Sequence, residues 1–158
     1  MKKITEILGL KEKESAAGAE KVNEWLANYQ VYYQNLRGFH WNIKGERFFV
    51  LHAKYEELYD DAVEKIDEIA ERILTVGGKP LHAFEDYLKV SSIKAEKDKC
   101  DAASTMTAVL NNLEVLIKME REILSVAEAA EDEGTLALIS DYISQQEKLV
   151  WMLTSFMK

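Results

Sequence analysis

Proline occurs once in this 158-residue chain, at Pro80, and glycine only seven times. Sandwiches and barrels need turn-forming residues at short intervals, so a chain this poor in them reads as a few long helices with few breaks. The spacing of apolar residues agrees. Over about 15–42, Val22, Trp25, Leu26, Tyr29, Tyr33 and Leu36 recur three and four residues apart, and Gly45 closes the segment. A second segment, about 48–76, stops at Gly77-Gly78-Lys79-Pro80, glycine at the C-cap followed by proline. Residues 82–88 can form a short connecting helix, and 91–99 are polar. A third long segment carries Leu110, Leu113, Leu116, Ile117, Ile123 and Leu124 up to about Ala130. Glu131-Asp132-Glu133-Gly134 breaks it, and a fourth helix runs from Thr135 nearly to the end. Two short-looped pairs of long helices, separated by about 20 residues between helices two and three, predict an all-α four-helix bundle with one long crossover.

The length suits a single domain over 1–158, and 47% apolar residues are enough for a real core. Twenty-eight Asp and Glu against 20 Lys and Arg leave a formal charge of −8, which argues against general affinity for nucleic acid or anionic membranes. No stretch approaches the roughly 18 apolar residues of a membrane span. The start, MKKITEILGL, is interrupted by Thr5 and Glu6 and lacks a small-residue cleavage site, unlike a secretion signal. One cysteine, Cys100, cannot form an internal disulfide, so a reducing compartment, the cytoplasm, is expected.

The second helix carries the most informative surface. With His52 at zero and about 100° per residue, Leu51, Tyr55, Leu58, Ala62, Ile66, Ile69 and Ile73 fill an apolar arc from about 240° to 320°. Glu57, Asp61, Glu64 and Glu68 form an acidic stripe near 120° to 180°, roughly opposite. Between arc and stripe lie His52, Glu56, Asp60, Asp67 and Glu71, within about 100° of helix surface. Acids on a helix are ordinarily a solvated face. A line of imidazole and carboxylates at the edge of a core is also able to hold iron, manganese or zinc.

His52 and Glu56 share one turn, as do Asp67 and Glu71, but the eleven residues from Glu56 to Asp67 span about 16 Å. One ion with bonds near 2 Å cannot be reached by both pairs of the same helix. Either they are unrelated half-sites, or a second copy of the helix completes each one. A two-fold axis near the level of Ala62 would lay two copies antiparallel and set His52 and Glu56 of one against Asp67 and Glu71 of the other, giving two equivalent sites. His40, at the end of helix one, can fold back beside His52 across the short connection and add a second imidazole. Capping the C-terminus of its own helix is the alternative role for His40.

The run Gly38-Phe39-His40-Trp41-Asn42-Ile43-Lys44-Gly45, followed by Phe48-Phe49-Val50-Leu51-His52, Asp67-Glu68-Ile69-Ala70-Glu71-Arg72 and Gly77-Gly78, closely resembles the Dps-like ferritins, the mini-ferritins named for DNA protection in starved cells. The similarity covers essentially the whole chain, including Trp151. It implies a ferritin-like bundle assembled as a hollow homo-oligomer, a dodecamer, in which Fe(II) is oxidised between subunits, preferentially by hydrogen peroxide, and stored as Fe(III) mineral. The implied ferroxidase ligands are His40, His52 and Glu56 of one subunit with Asp67 and Glu71 of its two-fold partner, zinc being a possible surrogate for iron. One departure is visible. Glu56 stands where the family more often has Asp, and its longer arm can shift the second iron position. The Glu-x-x-His pair of full ferritins is missing.

The resemblance also suggests an acidic pore lining at Glu131, Asp132 and Glu133, against the plainer reading of an exposed turn. Trp41, Tyr29, Tyr32 and Tyr33 can intercept stray oxidising equivalents, although aromatic core packing is the commoner role. Family members that bind DNA use extended Lys- and Arg-rich tails. Here Lys2, Lys3, Lys11 and Lys13 are offset by Glu6, Glu12 and Glu14, so weak or absent DNA binding is expected. Twelve copies of a −8 chain carry about −96, a field that attracts cations. The rival function is a nucleoid-associated structural shell whose metal site is vestigial or filled by zinc.

Overall fold

The structure, a computed structural model, describes residues 2–158. It is all-helical over those residues: α1 Ile4–Leu8, α2 Glu12–Asn42, α3 Phe48–Thr75, α4 Phe84–Val90, α5 Ala102–Ala129 and α6 Glu133–Phe156. The four long helices are the four expected ones. α2 begins three residues earlier than the apolar pattern marks, with Glu12 and Glu14 in its first turn, where acids favour the positive end of the helix. The connecting helix α4 lies two residues further on than the sequence pattern puts it.

α2 packs along α3 and against α5, α5 along α6, and α4 against α2. Each long helix contributes fully buried side chains to one core: Trp25, Leu26 and Leu36 from α2, Leu51, Ile69 and Ile73 from α3, Leu113 and Leu116 from α5, and Ile139 from α6. Asp101 starts α5 by accepting a hydrogen bond from the Ser104 amide at 2.9 Å, and Asp132 starts α6 the same way from the Thr135 amide at 3.1 Å. The crossover is pinned by two buried asparagines. Asn28 Oδ1 accepts from the Ser91 hydroxyl and the Ser92 and Ile93 amides, while Asn35 bonds the Lys94 carbonyl and the Glu96 amide.

The N-terminal segment is docked. Thr5 is buried, and Ile4 lies against the turn after α3, where Gly77 adopts φ +84 and a Cβ would come within 2.9 Å of the Ile4 side chain. Among the described residues no helix is long and apolar enough to cross a membrane.

One polar group sits deep in this core. Glu120 of α5 is fully buried, and its Oε1 accepts from Gln146 Nε2 at 2.6 Å, Trp25 Nε1 at 3.1 Å and the Tyr29 hydroxyl at 3.4 Å. Its Oε2, like Gln146 Oε1, is buried without a partner. Burial pushes the Glu120 carboxyl up to about 7, against the hydrogen bonds from Gln146, Trp25 and Tyr29 and the charge of Lys65, which favour ionisation. Burial likewise raises Tyr29, Tyr32 and Tyr142, which stay protonated.

Candidate metal centre

His40 is the last but two of α2's residues and His52 lies in the second turn of α3. The intervening turn uses Gly45 at φ +103 and is tied to the start of α5 by the Lys44 amide, which donates to the Cys100 carbonyl at 2.8 Å. That short antiparallel connection brings the imidazoles face to face, with ring centroids 3.8 Å apart and planes 19° from parallel. His40 is buried and His52 half-buried. Each Nδ1 donates to the other residue's backbone carbonyl, His40 to His52 at 2.7 Å and His52 to His40 at 2.9 Å. A carbonyl can only accept, so these contacts fix a proton on both Nδ1 atoms, and the neutral form of each ring then carries its lone pair on Nε2. This is the tautomer and the bracing that a metal-ligating histidine needs. His40 therefore does not cap its own helix.

The acids stand apart from one another. Glu56, Asp60, Asp67 and Glu71 are exposed along α3, and among the described residues no three His, Cys, Asp or Glu side chains come together as a metal-holding group. His40 and His52 are joined by one chain, whereas Asp67 and Glu71 remain about 16 Å along the helix from the turn bearing His52 and Glu56.

Three residues that the sequence reading passed over belong to this face. Phe48 stacks on His52 with centroids 5.0 Å apart and planes 20° from parallel, and Tyr59 presents an edge contact to His40 at 5.3 Å and 87°. Their spacing from His52, four residues before and seven after, was the available signal. Val63 lies only about 20° around the helix from His52. It is apolar yet 43% exposed, midway along the line of candidate ligands.

Other acids are engaged elsewhere. In the stripe, Glu57 pairs with Lys54, Asp61 with the buried Lys65, and Glu68 accepts from the Tyr142 hydroxyl. In the α5–α6 turn, Asp132 is buried, capping α6 and pairing with Arg72, whose Nε also donates to Thr135 Oγ1 at 2.9 Å. Asp132 is thus a structural cap rather than a free lining acid. Glu131 pairs with Lys11 at 2.5 Å, and Glu133 is exposed. Tyr29 and Tyr32 are core residues, while Trp41 is 58% exposed beneath the Arg37 guanidinium, 4.6 Å from its ring centroid.

Residues 19–158 match the ferritin-like domain family. The chain belongs to that family, in its Dps-like branch. A DNA protection during starvation protein of Porphyromonas gingivalis is 52% identical over 156 residues, 99% of this chain and 98% of that one. DNA protection during starvation protein 2 of Bacillus anthracis is 37% identical over 87% of this chain and 94% of its own. A Dps crystal structure from Vibrio cholerae O1, described as a member of a broad superfamily of ferritin-like diiron-carboxylate proteins, superposes with a TM-score of 0.93 at 50% identity, covering 94% of both chains. The bundle of this Dps-like chain, with its crossover and short α4, is that family's fold.

Proposed function

We propose that this Dps-like chain is an iron-storing, iron-detoxifying ferroxidase, active as a hollow homo-oligomer, a dodecamer, in which Fe(II) is the substrate and two copies of α3 build each centre. The observation that carries the reading is the imidazole pair with both Nδ1 protons locked and both Nε2 atoms free. The same bonds also satisfy the His40 carbonyl in the last turn of α2, so it is the free Nε2 edges, and not the bonds themselves, that point to a ligand role.

The ring geometry supports a two-iron centre. An imidazole lone pair lies in its ring plane, and planes tilted by 19° with centroids 3.8 Å apart do not meet within bonding distance of both rings. Each imidazole then serves its own ion, and such spacing suits the roughly 3.5–4 Å separation of paired metals. Glu56, with Asp67 and Glu71 of a second copy, supplies the carboxylate oxygens that Fe(II) needs beside nitrogen. Two Fe(II) ions give one electron each to hydrogen peroxide, which takes up two protons and leaves as two waters, with Fe(III) as the product. Pairing the electrons avoids hydroxyl radical.

DNA binding is weak in this reading. Lys3 and Lys11, two of the four N-terminal lysines, are paired with Glu12 and Glu131, the segment is docked through Thr5, and the chain carries −8. The test of the centre is anaerobic loading of Fe(II) followed by peroxide, in the parent, His52→Ala and Asp67→Ala. Oxidation falls at least tenfold in both variants. A rate equal to the parent's in both removes the assignment.

A further inference from the structure

The two imidazoles are the middle of a longer column of rings. Phe48, in the first turn of α3, lies flat against His52 at 5.0 Å and 20°, His52 lies flat against His40, and Tyr59 meets His40 edge-on at 5.3 Å. Both outer rings are themselves held. The Phe48 amide donates to the Gly45 carbonyl at 3.1 Å and its ring meets Phe49 at 5.2 Å, while Tyr59 is braced by Tyr33 at 6.2 Å. Phe48 and Tyr59 are only half-buried, so neither is spent on filling the deep core.

We propose that Phe48 and Tyr59 are positioning residues of the metal centre, clamping the imidazole pair so that both Nε2 atoms stay aimed at the ions. The inference rests on the ferroxidase reading of His40 and His52. A single hydrogen bond at Nδ1 fixes one point of each ring and leaves it free to tilt about that point. A flat neighbour on the face of His52 and an edge against His40 remove the tilt. Phe48 has no donor atom, so any effect it has on metal binding acts through the ring it holds.

The experiment uses the assembled protein and Co(II) as probe, following its d–d absorption, with KM and kcat for Fe(II) oxidation by peroxide measured alongside. Phe48→Ala and Tyr59→Ala each weaken Co(II) binding roughly tenfold, the scale on which residues supporting a metal ligand act. They change the band shape and raise KM more than they lower kcat. Phe48→Tyr and Tyr59→Phe, which keep the rings, match the parent. Phe48→Leu, which keeps bulk without the flat face, lies between parent and Phe48→Ala. Should His52→Ala abolish Co(II) binding while both alanine variants bind as the parent does, the clamp is overturned and the centre stands. If His52→Ala binds Co(II) as the parent does, the centre itself is overturned and the clamp with it.

Discussion

Glu120 offers a quantitative test of the core. An isolated carboxyl ionises near 4.5, and in the fold burial pushes this one to about 7. The folded chain therefore holds the proton over a range where the unfolded chain has released it. Stability from the protonated form is fully present below about pH 4.5 and is lost as pH rises to about 7. Each pKa unit is worth about 1.4 kcal/mol, so the folded state gives up about 3 kcal/mol by pH 8. Glu120→Gln removes the titration and keeps the shape. The amide oxygen still accepts from Trp25, Tyr29 and Gln146, and the amide nitrogen adds a donor to a pocket in which Gln146 Oε1 has none. The variant should be close to parental stability at pH 4.5 and about 3 kcal/mol more stable at pH 8. Urea unfolding of both proteins, at one fixed protein concentration and at several pH values, gives the difference, in which the titration of the other carboxylates cancels. A difference that does not change between pH 4.5 and pH 8, or a variant less stable than the parent at pH 8, refutes the reasoning.

Three further outcomes follow from the geometry. Subunits carrying His52→Ala, co-assembled in equal amounts with subunits carrying Asp67→Ala, recover about a quarter of parental oxidation, because each mixed pair keeps one of its two equivalent centres intact. Recovery of nothing would place the two residues in one subunit's site. Val63→Arg sets two cations against each other at the level of the proposed axis, so size-exclusion chromatography should show smaller species and iron oxidation should fall with them. Arg72→Ala loses hydrogen bonds to Asp132 and Thr135 in a largely buried turn and costs about 2 kcal/mol in urea unfolding, with the Fe(II) site composition unchanged.

The four long helices are legible because each buries a continuous arc, and a period of 3.6 residues repeats often enough over 24 to 31 residues to be read. α1 was not. Five residues are too few to carry a period or to form a helix alone, and it is held by packing beside Gly77, which no local pattern announces. Glu120 was readable but unread. It stands four residues after Leu116 and three before Ile123, on the apolar face of α5, and an acid in that register is buried unless the helix rotates. Asp132 shows the opposite difficulty. An acidic run looks alike whether its members face water, cap a helix or meet an arginine sixty residues earlier, and only the approach of α3 to the α6 start decides among them.

The histidine pair was legible from the hairpin connection alone, whereas its completion lies outside any one chain. Two imidazoles, with no third His, Cys, Asp or Glu brought beside them among the described residues, make a poor site for Fe(II), which wants anionic oxygen as well as nitrogen. On the proposed pairing, Glu56 of the same chain brings one negative charge, and the rest arrives from Asp67 and Glu71 only when a second α3 lies across the first. Iron affinity and assembly are then one equilibrium: the centre forms where the product will be enclosed, and an unassembled chain holds Fe(II) too weakly to oxidise it in open solution. Val63→Arg separates the two possibilities, since its histidine pair is untouched. Loss of Fe(II) affinity in step with loss of assembly supports the shared centre, and full affinity in the dissociated chain refutes it.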